Sequence, residues 1–192
     1  MEKKSTVSTR KIVFTALMAA LVVVGSALRV QLPISVGGTT AFHLGNIFCA
    51  LSGLLLGPWL GAAAAGVGSF LFDIMSNYIG ECWITFLTKG AYGLVAGLIA
   101  WKGAKECGYV KALLSTTAGA VTYAVLYLVK SYFWNGLLKQ GLTPDAAMVG
   151  VVAKIPATVF NAAVAIIFAP ILFLAIRKAL EKNHLSLEDR EK

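Results

Sequence analysis

His43 and Asn46 stand three residues apart at the head of "AFHLGNIFCALSGLLLGPWLGA", residues 41–62, a run that is otherwise almost wholly apolar. An imidazole and a carboxamide there could hold a metal, form a catalytic pair, anchor the chain at a membrane interface, or line a pocket for something polar. Four further stripes raise the same question. Lys154, Thr158 and Asn161 fall at i, i+4 and i+7, and Tyr123, Tyr127, Lys130 and Trp134 at i, i+4, i+7 and i+11, each set on one helical face. Glu81, Thr85, Lys89 and Tyr92 share a stripe, as do Gly66, Ser69, Asp73 and Asn77.

The chemistry of these residues favours binding over turnover. His43 has no second metal ligand at a suitable spacing, and the only other histidine is His184 near the end of the chain. HExxH, GxSxG and Walker A patterns are all missing, so the sequence predicts no catalytic residues, no metal and no cofactor, and any ATP hydrolysis would reside in other chains. Cys49, Cys82 and Cys107 show no CxxC spacing and read as small apolar residues. The pocket reading assigns His43, Asn46, Glu81, Tyr127, Lys130, Trp134, Lys154 and Asn161 to substrate binding. Lysines would meet a carboxylate, phosphate or ring carbonyl, Tyr127 and Trp134 would stack, and Asn161 would both donate and accept. Structural roles compete with it. Asp73 and Lys89, at similar depths on neighbouring antiparallel segments, are expected to pair with each other. Tyr and Trp near helix ends can be interface-belt residues, and His43 can bond a loop carbonyl.

The elements that must position these side chains are membrane spans. The chain has 192 residues, of which 58% are hydrophobic and only 14% charged, with a mean hydropathy of +0.77. Soluble domains hold about 45–50% apolar and about 25% charged residues, so lipid is the expected solvent. Six segments are apolar enough to span, at 11–29, 43–57, 59–76, 82–101, 110–133 and 146–176. The first exceeds a signal-peptide core and is read as a retained span. The second and third share the turn Gly57-Pro58-Trp59, glycine ending one helix and proline starting the next. Thr143, Pro144 and Asp145 form a helix start, and a helix from there to Lys178 would run about 50 Å, with Pro156 and Pro170 as places to bend.

The net charge of +8 is distributed as topology rather than as a nucleic-acid footprint. Lys3, Lys4, Arg10 and Lys11, then Lys102, Lys105 and Lys111, then Arg177, Lys178, Lys182, Arg190 and Lys192 all fall on one side if both termini are cytoplasmic. The polar stripes then lie in the outer half of the bilayer. A mid-membrane charge costs at least about 2.5–3.5 kcal/mol, so their convergence points to an outward-facing pocket for a small, partly polar molecule.

The pattern Ala16-xxx-Ala20 in "TALMAALVV", the run "HLGNIFCALSGLLLGPWLGAAAAGVGSFLFD" and "WITFLTKGAYGLVAGLIA" together resemble the substrate-binding S components of the energy-coupling factor (ECF) vitamin transporters. The resemblance covers about Arg10 to Arg177. It implies an all-α, compact six-helix membrane domain (11–178) between cytoplasmic tails (1–10 and 179–192), with residues 30–42 as a lid loop. It also implies a vitamin or precursor as ligand, with the riboflavin, pantothenate and pyrimidine-precursor group favoured. Ala16 and Ala20 match the face that docks on a membrane scaffold subunit, which two cytoplasmic ATPases drive in a bacterial plasma membrane. Asn46 stands where some relatives carry an acid.

Overall fold

The computed structural model describes residues 8–33, 39–103 and 107–185. Helix α1 (Thr9–Ala27) is followed by strands β1 (Arg29–Pro33) and β2 (Thr39–His43), then α2 (Gly45–Met75), a short 3-10 turn (Ile79–Glu81), α3 (Cys82–Ala100), α4 (Tyr109–Lys130), a π-helical segment (Ser131–Lys139) and α5 (Pro144–Lys182). Five of these helices are long and apolar enough to cross a membrane. Met18, Val22, Leu51, Leu54, Tyr92 and Phe173 lie in the core. Large apolar side chains such as Ile12, Leu17, Val125 and Val159 are exposed on the outside. That inversion suits a lipid solvent.

The 31 residues of α2 hold two arms. At Gly57 the backbone takes φ 80° and ψ −174°, a conformation open essentially to glycine alone, and Pro58 starts the second arm. The arms lie against each other: a Cβ at Gly61 would sit 2.5 Å from Gly53 Cα, and Cys49 Sγ is 4.0 Å from Ser69 Oγ. Helix α3 enters the same seam, because a Cβ at Gly93 would meet the Gly61 carbonyl oxygen at 2.6 Å. Three helical segments thus pack backbone to backbone through glycine, the small-residue mode of close approach in lipid. Trp101 closes the turn, donating from Nε1 to the Leu54 carbonyl at 3.0 Å.

One element departs from an all-α chain. Residues 30–42, expected as a lid loop, belong largely to an antiparallel hairpin with register Arg29↔His43, Gln31↔Ala41 and Pro33↔Thr39, its tip at 34–38 lying outside the described residues. Proline and glycine content made the stretch read as irregular, but Val30 and Leu32 alternate with polar neighbours and Thr39, Thr40 and Phe42 favour a pleated strand. Pairing also satisfies backbone groups that would otherwise be stranded beside hydrocarbon. The hairpin is anchored at its base, where Leu44 N–H donates to the Gly25 carbonyl of α1 at 3.0 Å.

Helix α5 runs unbroken for 39 residues, Pro156 and Pro170 included, and its first turn is capped by Thr143 Oγ1 accepting from Ala146 N–H at 3.4 Å. It continues to Lys182, past the expected end of the spanning domain. Near that end the Arg177 guanidinium donates to the Cys107 carbonyl. The start of α1, the Gly57 turn and the end of α5 therefore lie at one end of the bundle, and the hairpin lies at the other.

Candidate functional site

Under the hairpin lies a cavity of about 160 Å³, far beyond the 10–15 Å³ or so that one water needs. Its roof is the hairpin, held from both sides. On the α5 side, Asn161 Oδ1 accepts from His43 N–H at 3.0 Å and its Nδ2 donates to the Ala41 carbonyl at 2.8 Å, so one side chain continues the ladder as a third strand would. Phe42 packs edge-on to Phe160 at 4.8 Å beside it. On the α2 side, the Arg29 guanidinium lies over the rings of Phe72 (4.8 Å) and Tyr78 (5.4 Å), and Gln31 Nε2 donates to Tyr78 Oη at 2.8 Å.

His43, at the end of β2, has Nδ1 accepting from Gly45 N–H at 3.2 Å. Burial, then the charges of Lys89 and Arg29, pull its pKa from 6.5 down to about 3, so the imidazole is neutral at physiological pH. A neutral ring with an acceptor at Nδ1 fits the hydrogen bond it makes.

One wall is aromatic. Tyr123 and Tyr127 of α4 form it, and Tyr92 of α3, buried in the core behind them, continues the stack, with centroids 5.9 Å (Tyr92–Tyr123) and 5.8 Å (Tyr123–Tyr127) apart and interplanar angles of 16° and 28°. The Lys89 ammonium stands 3.9 Å from the Tyr123 ring centroid and donates to Asn46 Oδ1. Another wall is an ion cluster. Glu81 accepts from Lys130 at 2.7 Å, from Lys139 at 2.9 Å and from Asn135 Nδ2 at 2.7 Å, tying the end of α4 and the π-helical segment to the start of α3.

Of the residues expected to bind substrate, His43, Glu81, Tyr127, Lys130 and Asn161 line the cavity, and Asn46, Trp134 and Lys154 are not among its lining. Asn46 is buried behind Lys89 and holds it. Trp134 is 37% exposed. The i, i+4, i+7, i+11 stripe assumed α-helical phase through Ser131, but the π-helical segment takes more residues per turn and rotates Trp134 out of register. Lys154 is buried one turn beyond Thr158, with Nζ 3.4 Å from Ser131 Oγ. Asp73 and Lys89 both line the cavity, but no ion pair joins them among the described residues, since Lys89 is engaged by Asn46 and Tyr123 instead.

Sequence reasoning passed over Arg29, Gln31 and Tyr78, which fasten the roof. Arg29 was the visible signal, a basic residue on the side opposite most of the others. Among the described residues no three His, Cys, Asp or Glu side chains converge to hold a metal, and Cys49, Cys82 and Cys107 are all buried. The arrangement can stack a flat ring on tyrosine and offer hydrogen bonds from several directions beneath the hairpin.

Two comparisons with known proteins bear on this geometry. The family model described as "ECF-type riboflavin transporter, S component" matches residues 6–178. A protein of Pyrococcus woesei, described as an uncharacterized protein in gap 3'region, is 30% identical over 117 residues, which span 61% of this chain and 74% of that one.

Proposed function

The chain belongs to the family of ECF-type riboflavin transporter S components, and on that premise we propose that it captures riboflavin in the cavity beneath the β1–β2 hairpin. As a member of that family it is a multi-pass transport subunit and not an enzyme. The observation that carries the cargo assignment is the combination of the Tyr123–Tyr127 stack with hydrogen-bonding groups from the hairpin, α3 and α5 around one cavity. Riboflavin presents a flat ring system to stack and a polyol chain to bond. Pantothenate, which has no aromatic ring, leaves the tyrosines idle, and a pyrimidine precursor covers little of them.

In the full reading the two arms of α2 count as two spans, giving six with both termini in the cytoplasm of a bacterial cell, and the hairpin faces outward as the lid. Ala16 and Ala20 lie on the exposed face of α1 with Ile12, Val13 and Leu17, an apolar stripe with two small steps where a scaffold helix would seat. Two separate ATPase chains would supply the energy. Competition for the site by a panel of water-soluble vitamins tests the cargo. Riboflavin is expected to displace all others, and preferential binding of pantothenate or a pyrimidine precursor would reassign it. Riboflavin uptake into liposomes by this chain alone would instead make it a stand-alone carrier.

A further inference from the structure

Lys89 is 4% exposed and lies within α3, yet among the described residues no carboxylate pairs with it. The contrast with Lys130 is direct, for Lys130 also lines the cavity and is neutralised by Glu81 at 2.7 Å. The Lys89 ammonium has three N–H donors. Asn46 Oδ1 accepts one, and the face of Tyr123 at 3.9 Å supplies a cation–π contact. Both partners are uncharged and fix the ammonium in place, so a donor remains for whatever occupies the cavity. Asp73 lines the same cavity and its charge acts on Lys89 without a direct ion pair, so a buried ammonium that is costly in a membrane segment still has a donor for a direct partner.

We propose that Lys89 is the specificity-determining residue that reads the N1/C2-carbonyl edge of the ligand's pyrimidinedione ring, with the ring plane directed by the Tyr123–Tyr127 stack. The inference rests on the riboflavin reading above. Stacking alone accepts many flat molecules, because every aromatic ring has a π-face. The ammonium beside the stack demands an electron-rich edge at one position, and in a flavin that edge is N1 with the C2 oxygen. Its negative charge grows when the ring is reduced, since the hydroquinone ionises at N1. The same lysine would therefore hold the reduced vitamin more tightly than the oxidised one.

The test is a two-by-two comparison of wild type and Lys89→Met, each titrated with riboflavin and with 1-deazariboflavin, in which a C–H replaces N1. A hydrogen bond to a charged group contributes about 1.5–3 kcal/mol, so wild type is expected to prefer riboflavin by about tenfold or more and Lys89→Met to lose that preference. The redox arm reads the bound flavin's midpoint potential: if reduction tightens wild-type binding about tenfold relative to the variant, the two-electron potential differs by about 30 mV. Equal wild-type affinities for the two flavins overturn the assignment, as does a variant that weakens both equally. If Lys89→Met does not fold, the wild-type pair of titrations still decides. Failure of wild type to bind riboflavin at all would remove the parent reading instead.

Discussion

His43 and Asn161 are 118 positions apart, and the backbone N–H of the first donates to the side-chain oxygen of the second at 3.0 Å. With the return bond from Asn161 Nδ2 to Ala41 O, a single carboxamide on α5 fastens the outer edge of β2. The asparagine at the cavity is thus committed first to the roof. On the riboflavin reading, its contribution to affinity would come through keeping the roof closed.

Asn161→Ala is accordingly expected to weaken riboflavin binding by about tenfold, some 1.4 kcal/mol, with the loss in the dissociation rate. Stopped-flow quenching of flavin fluorescence separates the two rates. A tenfold loss confined to association would argue against a fastening role.

A pH effect follows from His43. Its folded pKa of about 3 lies below the ordinary 6.5, so as pH falls beneath about 6.5 the unfolded chain takes up the proton first. Stability contributed by the neutral ring is present above that pH and is lost progressively toward about 3. The melting temperature in detergent should fall with acidification through this window, and His43→Gln should flatten that slope. A wild-type profile that is level down to about pH 4 would contradict the account.

The glycine seam should tolerate no side chain. Gly53→Val or Gly61→Val places carbon atoms into the facing backbone at contacts near 2.5 Å, and each should lower the melting temperature sharply. Overpacking typically costs about 1–3 kcal/mol, and more where backbone must move. Gly80→Ala, which meets nothing within 4 Å, is the matched control and should leave the melting temperature unchanged.

On α1, Ala16→Trp or Ala20→Trp is expected to abolish vitamin uptake by the assembled transporter while leaving binding by the isolated subunit intact. Radiolabelled uptake in cells, set beside binding to purified protein, checks this. Equal loss of both would trace the defect to folding.

Much of this was legible in the chain because apolar segments, glycine and proline carry local rules. Gly57-Pro58 announced the fold-back, Thr143-Pro144 the start of α5, and the lysine and asparagine stripes the end of the bundle where the cavity lies. What escaped has physical causes. The hairpin was hidden because its strands are short and its proline and glycine outweighed the alternation of Val30, Leu32 and Phe42. Trp134 was misplaced because a π-helical segment changes phase without a compositional mark. Asn161 was singled out, but its partners are backbone groups of a strand far away in sequence, and no residue pattern encodes those. Lys89 was assigned to Asp73 on depth alone, whereas its neighbours Asn46 and Tyr123 follow from how α2, α3 and α4 pack.

The most direct measurement is a titration of the purified full-length chain with riboflavin, following flavin fluorescence. One riboflavin per chain, with quenching from the tyrosine stack and a Kd below about 1 μM, equivalent to more than about 8 kcal/mol, is the predicted result. No binding at about 10 μM riboflavin, a concentration corresponding to roughly 7 kcal/mol, would contradict it.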